Sequence, residues 1–357
     1  MTETCALCLE QRPLMESHFI PKFAIRTFKD QSLTGYMRSP EAPNVRRQDG
    51  KKERLLCGEC EGRFSRAERE FAQRVFAPRR DEQLAEFECT EYDRYFAASL
   101  TWRNVIFQLR LPDAAVRKDG HTDGSLATLR TAEAALRDYL LGKSTYPSDI
   151  EQHLFLADLT VGDAADGLNA YLLGMQEMYT PMIDDRVYVV TNLGCGMMFV
   201  CPLPSDRQKM AEWRGGTLLS PGEIIRTHDQ EMSDAHFGFV LTQRPAQLRA
   251  YATATDAQKE KILRDVGKAD VSRWRAGWHG RAYEHDNASK ADDRLFLVIG
   301  KKDGVEFSDS LPFVAFQELF SDAMDDVLAR VSRLEVGQGC KIAFKNEQSD
   351  FSIIRSR

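Results

Sequence analysis

The sequence predicts an α+β protein with a small metal-binding module at its N-terminus. Three observations carry this. Two C-x2-C pairs, Cys5/Cys8 and Cys57/Cys60, fall within the first sixty residues. Helical periodicity dominates the next stretch, to Leu141. Beyond it the pattern turns to runs rich in β-branched and aromatic residues, so helices and strands are segregated along the chain.

A chain of 357 residues exceeds the usual single domain. The sequence divides it into a module over 1–80 and an α+β body over 81–357, with a further boundary near 266–293. The apolar share of 43% and charged share of 29% are those of a globular protein, not of a disordered or fibrous one. The first ten residues carry acidic side chains and cysteines where a secretion signal would place a basic start and an apolar run. The longest uncharged stretch, 187–205, is interrupted by Asn192, Gly194, Gly196 and Pro202. A spanning helix needs about 20 mainly apolar residues, so this stretch reads as two strands and a turn. The expectation is a soluble, cytoplasmic protein with no membrane partner.

Net charge is −6, unevenly spread. Residues 1–80 hold 16 Lys and Arg against 11 Asp and Glu, which leaves 32 against 43 for the rest. A basic head on an acidic body suits a head that meets a polyanion, although two ordinary solvated surfaces give the same count.

In order along the chain, Ser65 and Glu68 form an S-x-x-E capping box, which predicts a helix over 66–76 that buries Phe71 and Val75 and stops at Pro78. Helices follow over 92–109, with Phe96, Leu100, Ile106 and Leu109 inward, and over 125–141, with Leu129, Leu136 and Leu140 inward and Gly142 at the end. Strands are predicted over 153–159, 187–190, 197–203 and 236–241, then a helix over 256–266. The polar stretch 266–293, rich in Trp, His and Arg, reads as a loop or linker. A strand over 295–299, a turn at 302–304, a helix over 313–331 and strands over 341–344 and 351–354 complete the tail.

The cysteine pairs point to metal. Zinc in closed structural sites takes four ligands in a tetrahedron, and a two-residue gap turns both sulfurs of a knuckle toward one ion. Redox pairs are the other reading. The scattered Cys89, Cys195, Cys201 and Cys340 read as buried apolar residues. The 48 residues between the pairs exceed the usual ribbon spacing, so an insertion lies there.

Within that insertion stands Ser17-His18-Phe19-Ile20-Pro21. Taken together, Cys5-Ala-Leu-Cys8, His18-Phe-Ile-Pro21, Asn44 and Leu56-Cys57-Gly-Glu-Cys60-Glu61 make residues 1–80 similar to the zinc-containing HNH endonucleases of the His-Me finger superfamily. The resemblance implies a ββα-metal-like module in which a β-hairpin and a helix frame a catalytic divalent ion, Mg2+ or Mn2+, while structural Zn2+ holds the frame. It implies His18 as general base, Asn44 as its orienter and Glu61 as a metal ligand, acting on DNA or RNA in a bacterial or phage defence setting. Two positions depart from the family pattern. Ser17 stands where Asp or His usually ligates the metal, and Glu61 stands where His usually follows the last cysteine.

The chemistry wants such residues. A neutral imidazole accepts a proton from water near neutral pH, and a metal ion neutralises charge on the phosphate. Arg38, Arg46, Arg47, Lys51 and Lys52 are candidate backbone-phosphate contacts. Each residue also has a bland reading: His18 as a packing residue, Asn44 as a turn residue after Pro43, Glu61 as a favourable charge at a helix start.

In the body, His228, Asp229, Glu231, Asp234 and His236 are metal-capable but match no ligand spacing, and a polar loop accounts for them. Trp274, Trp278, Arg275, Arg281, His279 and His285 form either a stacking and phosphate surface or a partly buried aromatic loop. Three functional readings stand: a metal-dependent HNH-like endonuclease; a catalytically inactive zinc module that binds nucleic acid or a protein partner; and an activity housed in the acidic body. In the first, the body recognises a substrate feature or a partner, or mediates self-association.

Overall fold

The computed structural model describes residues 3–39, 42–82, 84–118, 120–157, 168–183, 186–203, 217–226, 255–282, 295–302, 305–312, 339–343 and 350–355. The head opens with β1 (Glu3–Thr4) and β2 (Gln11–Arg12), which pair around the first cysteine knuckle. Next come β3 (Leu14–His18), α1 (Lys22–Gln31), β4 (Met37–Ser39), β5 (Ala42–Arg47) and β6 (Lys52–Cys57). Strand β3 pairs antiparallel with β6, from Leu14↔Cys57 to His18↔Lys52. Residues 19–51 are therefore an insertion between two partnered strands, carrying α1 and the β4–β5 hairpin.

The helix α2 (Gly58–Phe71) leaves directly from the second knuckle. This corrects the start expected at Arg66. Ser65 and Glu68 lie inside the helix, and Cys57, extended at φ −72° and ψ 164°, is its N-cap. The anticipated inner face holds, since Phe71 and Val75 are fully buried. Pro78 does not stop the chain either. A π-helical turn over Ala72–Phe76 resets the register, and Pro78 enters the first turn of α3 (Ala77–Arg80), where its missing N–H costs nothing.

The body continues with β7 (Glu86–Glu88), α4 (Glu91–Leu109), α5 (Asp113–Lys118) and α6 (Asp123–Leu140). Capping boxes at Thr90/Asp93 and Thr122/Ser125 set the starts of α4 and α6. After them come β8 (His153–Leu156), α7 (Leu168–Gly174), β9 (Glu177–Tyr179), β10 (Met182–Ile183), β11 (Arg186–Asn192), β12 (Met197–Leu203), β13 (Thr217–Leu218), β14 (Ile224–Arg226), α8 (Asp256–Val266) and α9 (Val271–Ala276). Six strands form an antiparallel sheet in the order β10-β11-β12-β8-β13, with β9 also pairing β11. The stretch 187–205 thus holds two strands joined at 193–196, as its composition predicts. Where a loop was expected after residue 266, α9 forms, its first turn closed by the Asp270 side chain accepting from the Arg273 N–H. The chain divides into two units, Met1–Tyr283 and Glu284–Arg357. In the second, β15 (Leu295–Lys302), β16 (Val305–Pro312), β17 (Gly339–Ala343) and β18 (Asp350–Arg355) make an antiparallel sheet in the order β16-β15-β18-β17. The strand expected over 236–241 and the helix over 313–331 lie outside the described residues. Helices and antiparallel sheets together make the fold mixed α+β.

Successive residues of β11 point to opposite faces, and both faces are covered. Val187 and Val189 join a core containing Cys5, Phe19, Phe64 and Trp102, while Tyr188 and Val190 join one containing Phe71, Phe96 and Phe199. Helix α4 contributes to both cores and is buried nearly all round, including Phe96, Leu100, Trp102 and Val105. Phe71 stacks on Phe96 at 4.3 Å between ring centres, and Phe64 meets Trp102 edge-on at 5.8 Å. The head and the body therefore share a core, and residue 80 marks a change of sequence pattern rather than a gap in packing. Among the described residues no helix is long and apolar enough to cross a membrane.

The turn between β11 and β12 is tightly specified. Gly194, Cys195 and Gly196 all have positive φ, and the Ala157 N–H donates to the Gly196 carbonyl at 2.7 Å. A Cβ on Gly196 would lie 2.0 Å from the Ala157 carbonyl oxygen. Gly196→Ala is expected to destabilise the protein by about 2 kcal/mol or more, from left-handed strain plus a forced backbone shift. A urea titration checks this, and an unchanged midpoint would show that the turn relaxes freely.

Candidate metal centre and the adjoining cleft

The two knuckles converge because β1–β2 folds Cys5 and Cys8 against the end of β6. The Ala6 N–H donates to the Leu55 carbonyl at 3.0 Å, and the Cys57 N–H donates to Cys5 Sγ at 3.3 Å. All four sulfurs lie within 4.8 Å of one another, with Cys8 and Cys57 at 3.9 Å. Zn–S bonds of about 2.3 Å in a tetrahedron put sulfurs about 3.8 Å apart, so the donor set fits zinc. Electrostatics agree. Burial pushes the Cys60 thiol far up, and the crowded sulfurs of Cys57 and Cys5 add to it, a repulsion that a divalent cation relieves. Burial also raises the Cys5 thiol, but N–H groups of Cys8, Cys57 and Leu7 outweigh it and bring it below its ordinary value. The four cysteines can hold a metal ion such as zinc, and they are the one such group among the described residues. Cys89, Cys195 and Cys201 are buried, as anticipated.

The end of β3 presents the rest of the candidate site. His18 Nε2 lies 2.8 Å from Asp49 Oδ1, and the ring is 15% exposed. Burial raises the Asp49 carboxyl, but hydrogen bonds from His18 and the Gly50 N–H, with the charge of Lys52, more than offset it and leave it below the usual range. Ser17 is fully buried and its hydroxyl donates to Glu61 Oε2 at 2.7 Å. Glu61 sits in the first turn of α2, where the helix N-terminus favours an anion. The β3–β6 pair and α2 thus bring Ser17 to Glu61, while His18, the next residue of β3, meets Asp49.

Asn44 is held elsewhere. Its Oδ1 accepts from the Thr255 N–H at 3.0 Å, so the carboxylate beside His18 is Asp49, not an amide. The basic residues are also distributed. Arg46 pairs with Asp265 and lies over the Tyr36 ring; Lys52 bridges to Glu16 at 2.8 Å and Asp49 at 3.6 Å; Lys51 Nζ sits 3.7 Å from the centre of the Phe107 ring. Arg38, Arg47 and Lys51 line a cleft of about 610 Å3 that also takes in Asp49.

No family model, curated protein or solved structure matches the chain.

Sequence reading overlooked Arg103. It is 2% exposed, yet its guanidinium donates to the His18 carbonyl at 3.0 Å, to Glu68 at 2.7 Å and to the Ser99 hydroxyl at 3.1 Å. The available signal was a single charged residue in the stretch from Phe96 to Phe107 of α4. Farther along, Trp278 is buried between Arg79 and Arg281 and donates to the Arg80 carbonyl at 2.8 Å. His279 packs edge-on against Phe28, and desolvation lowers its pKa to about 4. The partial burial matches the aromatic reading of this stretch, but residues 271–276 and 278–282 are helical rather than a loop. The cluster from His228 to His236, and His285, lie outside the described residues.

Proposed function

We propose that this chain is an HNH-like, metal-dependent endonuclease acting on the phosphodiester bonds of nucleic acid, with zinc at the four cysteines as a structural ion. The observation that carries the reading is the 2.8 Å contact of His18 with Asp49, at the end of the β3–β6 pair and beside a cleft edged by Arg38, Arg47 and Lys51. An Nε2–H donated to Asp49 leaves Nδ1 with the lone pair that takes a proton from water. Asp49 holds the ring in that tautomer and stabilises the imidazolium once formed, the role first assigned to Asn44. Glu61 is the carboxylate for the catalytic cation. Magnesium commonly needs only one or two protein carboxylates beside substrate phosphates, so on this reading Glu61 would serve as the protein ligand of Mg2+ or Mn2+. When bound, such an ion neutralises charge on the phosphate and the leaving oxygen.

One observation favours a second reading, a catalytically silent module that binds nucleic acid or protein. Ser17 and Glu61, at the two family ligand positions, already satisfy each other through a 2.7 Å hydrogen bond. Cleavage assays separate the two. Plasmid, linear DNA and RNA would be incubated with purified protein and magnesium, manganese or nickel. His18→Ala is expected to lower the cleavage rate by about 100-fold or more, the usual contribution of a general base. Cleavage that persists unchanged in that variant would remove His18 from the mechanism. Nucleic-acid binding without cleavage under any of these metals would leave the silent module as the better description.

A further inference from the structure

The cleft beside His18 is built for something other than a duplex. Phe28, Phe107, Met175 and Met178 are its partly exposed apolar lining, with the buried Phe19, Ile25 and Met37 beside them, and its edge carries Arg38, Arg47 and Lys51. A volume of about 610 Å3 is that of a pocket for one small organic group. A paired base shows only its edges in a groove and cannot bring a face against such walls. An unpaired base can, and base contact with apolar and aromatic side chains is the usual device for holding single strands. Methionine suits the task, being unbranched and polarisable.

The polar groups agree with a nucleotide rather than a bare phosphate. Glu177 and Asp49 line the cleft together with the three basic residues. A carboxylate there opposes an anion but accepts hydrogen bonds from an exocyclic amino group. Gln176 lines it too, and its Nε2 is already donated to the Leu193 carbonyl at 2.9 Å, which leaves the amide oxygen as acceptor. Ser39, another lining residue, has a buried hydroxyl with no partner among the described residues.

The structure assigns this cleft to one unpaired nucleotide of a nucleic-acid strand, its base against the apolar wall and its phosphates on Arg38, Arg47 and Lys51. This rests on the nuclease reading only in taking nucleic acid as the ligand; it needs no catalysis. It is therefore tested by binding, with full-length His18→Ala protein. The probes are a short single-stranded oligonucleotide carrying 2-aminopurine, the same strand paired to its complement, and the same strand with an abasic site at that position, each made as DNA and as RNA. The single strand is expected to bind at least about tenfold more tightly than the duplex, with a change in 2-aminopurine fluorescence. The abasic strand is expected to lose most of that advantage. Arg47→Glu, at an exposed position, is expected to weaken every strand and to flatten the salt dependence. Duplex binding as tight as single-strand binding, an abasic strand bound as well as the intact one, or no binding at all would overturn the assignment. If the native protein fails to cleave yet these binding differences appear, the nuclease reading falls and the cleft assignment stands.

Discussion

Replacing Cys60 with serine is expected to strip one equivalent of zinc and to unfold far more than the knuckle. Structural zinc in small finger peptides supplies roughly 10–16 kcal/mol of apparent binding energy at neutral pH. A folded domain is stable by only about 5–15 kcal/mol. Were the head a separate module, loss of metal would melt the head alone. The packing says otherwise, because Cys5, Cys57 and Cys60 lie in one core with Phe64, Trp102, Leu129 and Val187. Without the ion, the crowded sulfurs must protonate and spread, and the start of α2 loses its anchor at Cys57. The loss of order should therefore reach α4 and the central sheet. Zinc content of the purified protein, followed by thermal unfolding with near-UV circular dichroism, checks this. A native protein free of zinc, or a Cys60→Ser variant with unchanged near-UV signal and melting temperature, would show that the cysteines bear no structural ion.

Arg103→Leu is the second change expected to have a large effect, about 3–5 kcal/mol of lost stability. The guanidinium is almost wholly enclosed and serves four acceptors on β3, α2 and α4 at once. Its removal strands the Glu68 carboxylate, only 21% exposed, and the carbonyl of His18. Leaving a buried charge unpaired costs far more than the pair itself contributes. Lysine cannot substitute, since one ammonium does not reproduce a planar fork. Arg103→Leu with Glu68→Leu is expected to recover part of the loss, because the stranded charge goes with it. Urea unfolding of the single and double variants measures this, and a single variant within about 0.5 kcal/mol of the parent would count the arginine as a bystander.

What was legible in the sequence is what local rules govern. The metal site could be read because two-residue knuckles are a contact rule in themselves. Helices α4 and α6 could be read because their apolar faces repeat at helical spacing, while the Thr90/Asp93 and Thr122/Ser125 boxes that set their true starts went unread. The start of α2 was misplaced for a physical reason. No side chain caps it; the chain enters the helix from a cysteine held by tertiary geometry, so Ser65 offered a better local signal than the true end. Helix α1 and the β4–β5 hairpin went unread because they are short and lie in an insertion whose partners are distant. The same holds for the candidate site. His18 was found by its neighbours in sequence, whereas its partner is 31 residues away and was preferred only once the fold had closed. Arg103, 85 residues from His18, has its role entirely through α4.

The insertion over 19–51 has a consequence for how such a protein can change. His18, Glu61 and the four cysteines belong to the strand pair, the knuckles and α2, while Met37, Arg38 and Arg47 belong to the hairpin between them. On the proposed reading, His18 and the metal knuckles sit outside the insertion, whereas Asp49 and the cleft residues Met37, Arg38 and Arg47 sit within it. A hairpin can lengthen, shorten or exchange its side chains with little disturbance to the strands that flank it. On that reading, variation confined to the hairpin over 37–47 would alter what the cleft accepts and leave His18, Asp49 and the cysteine knuckles in place.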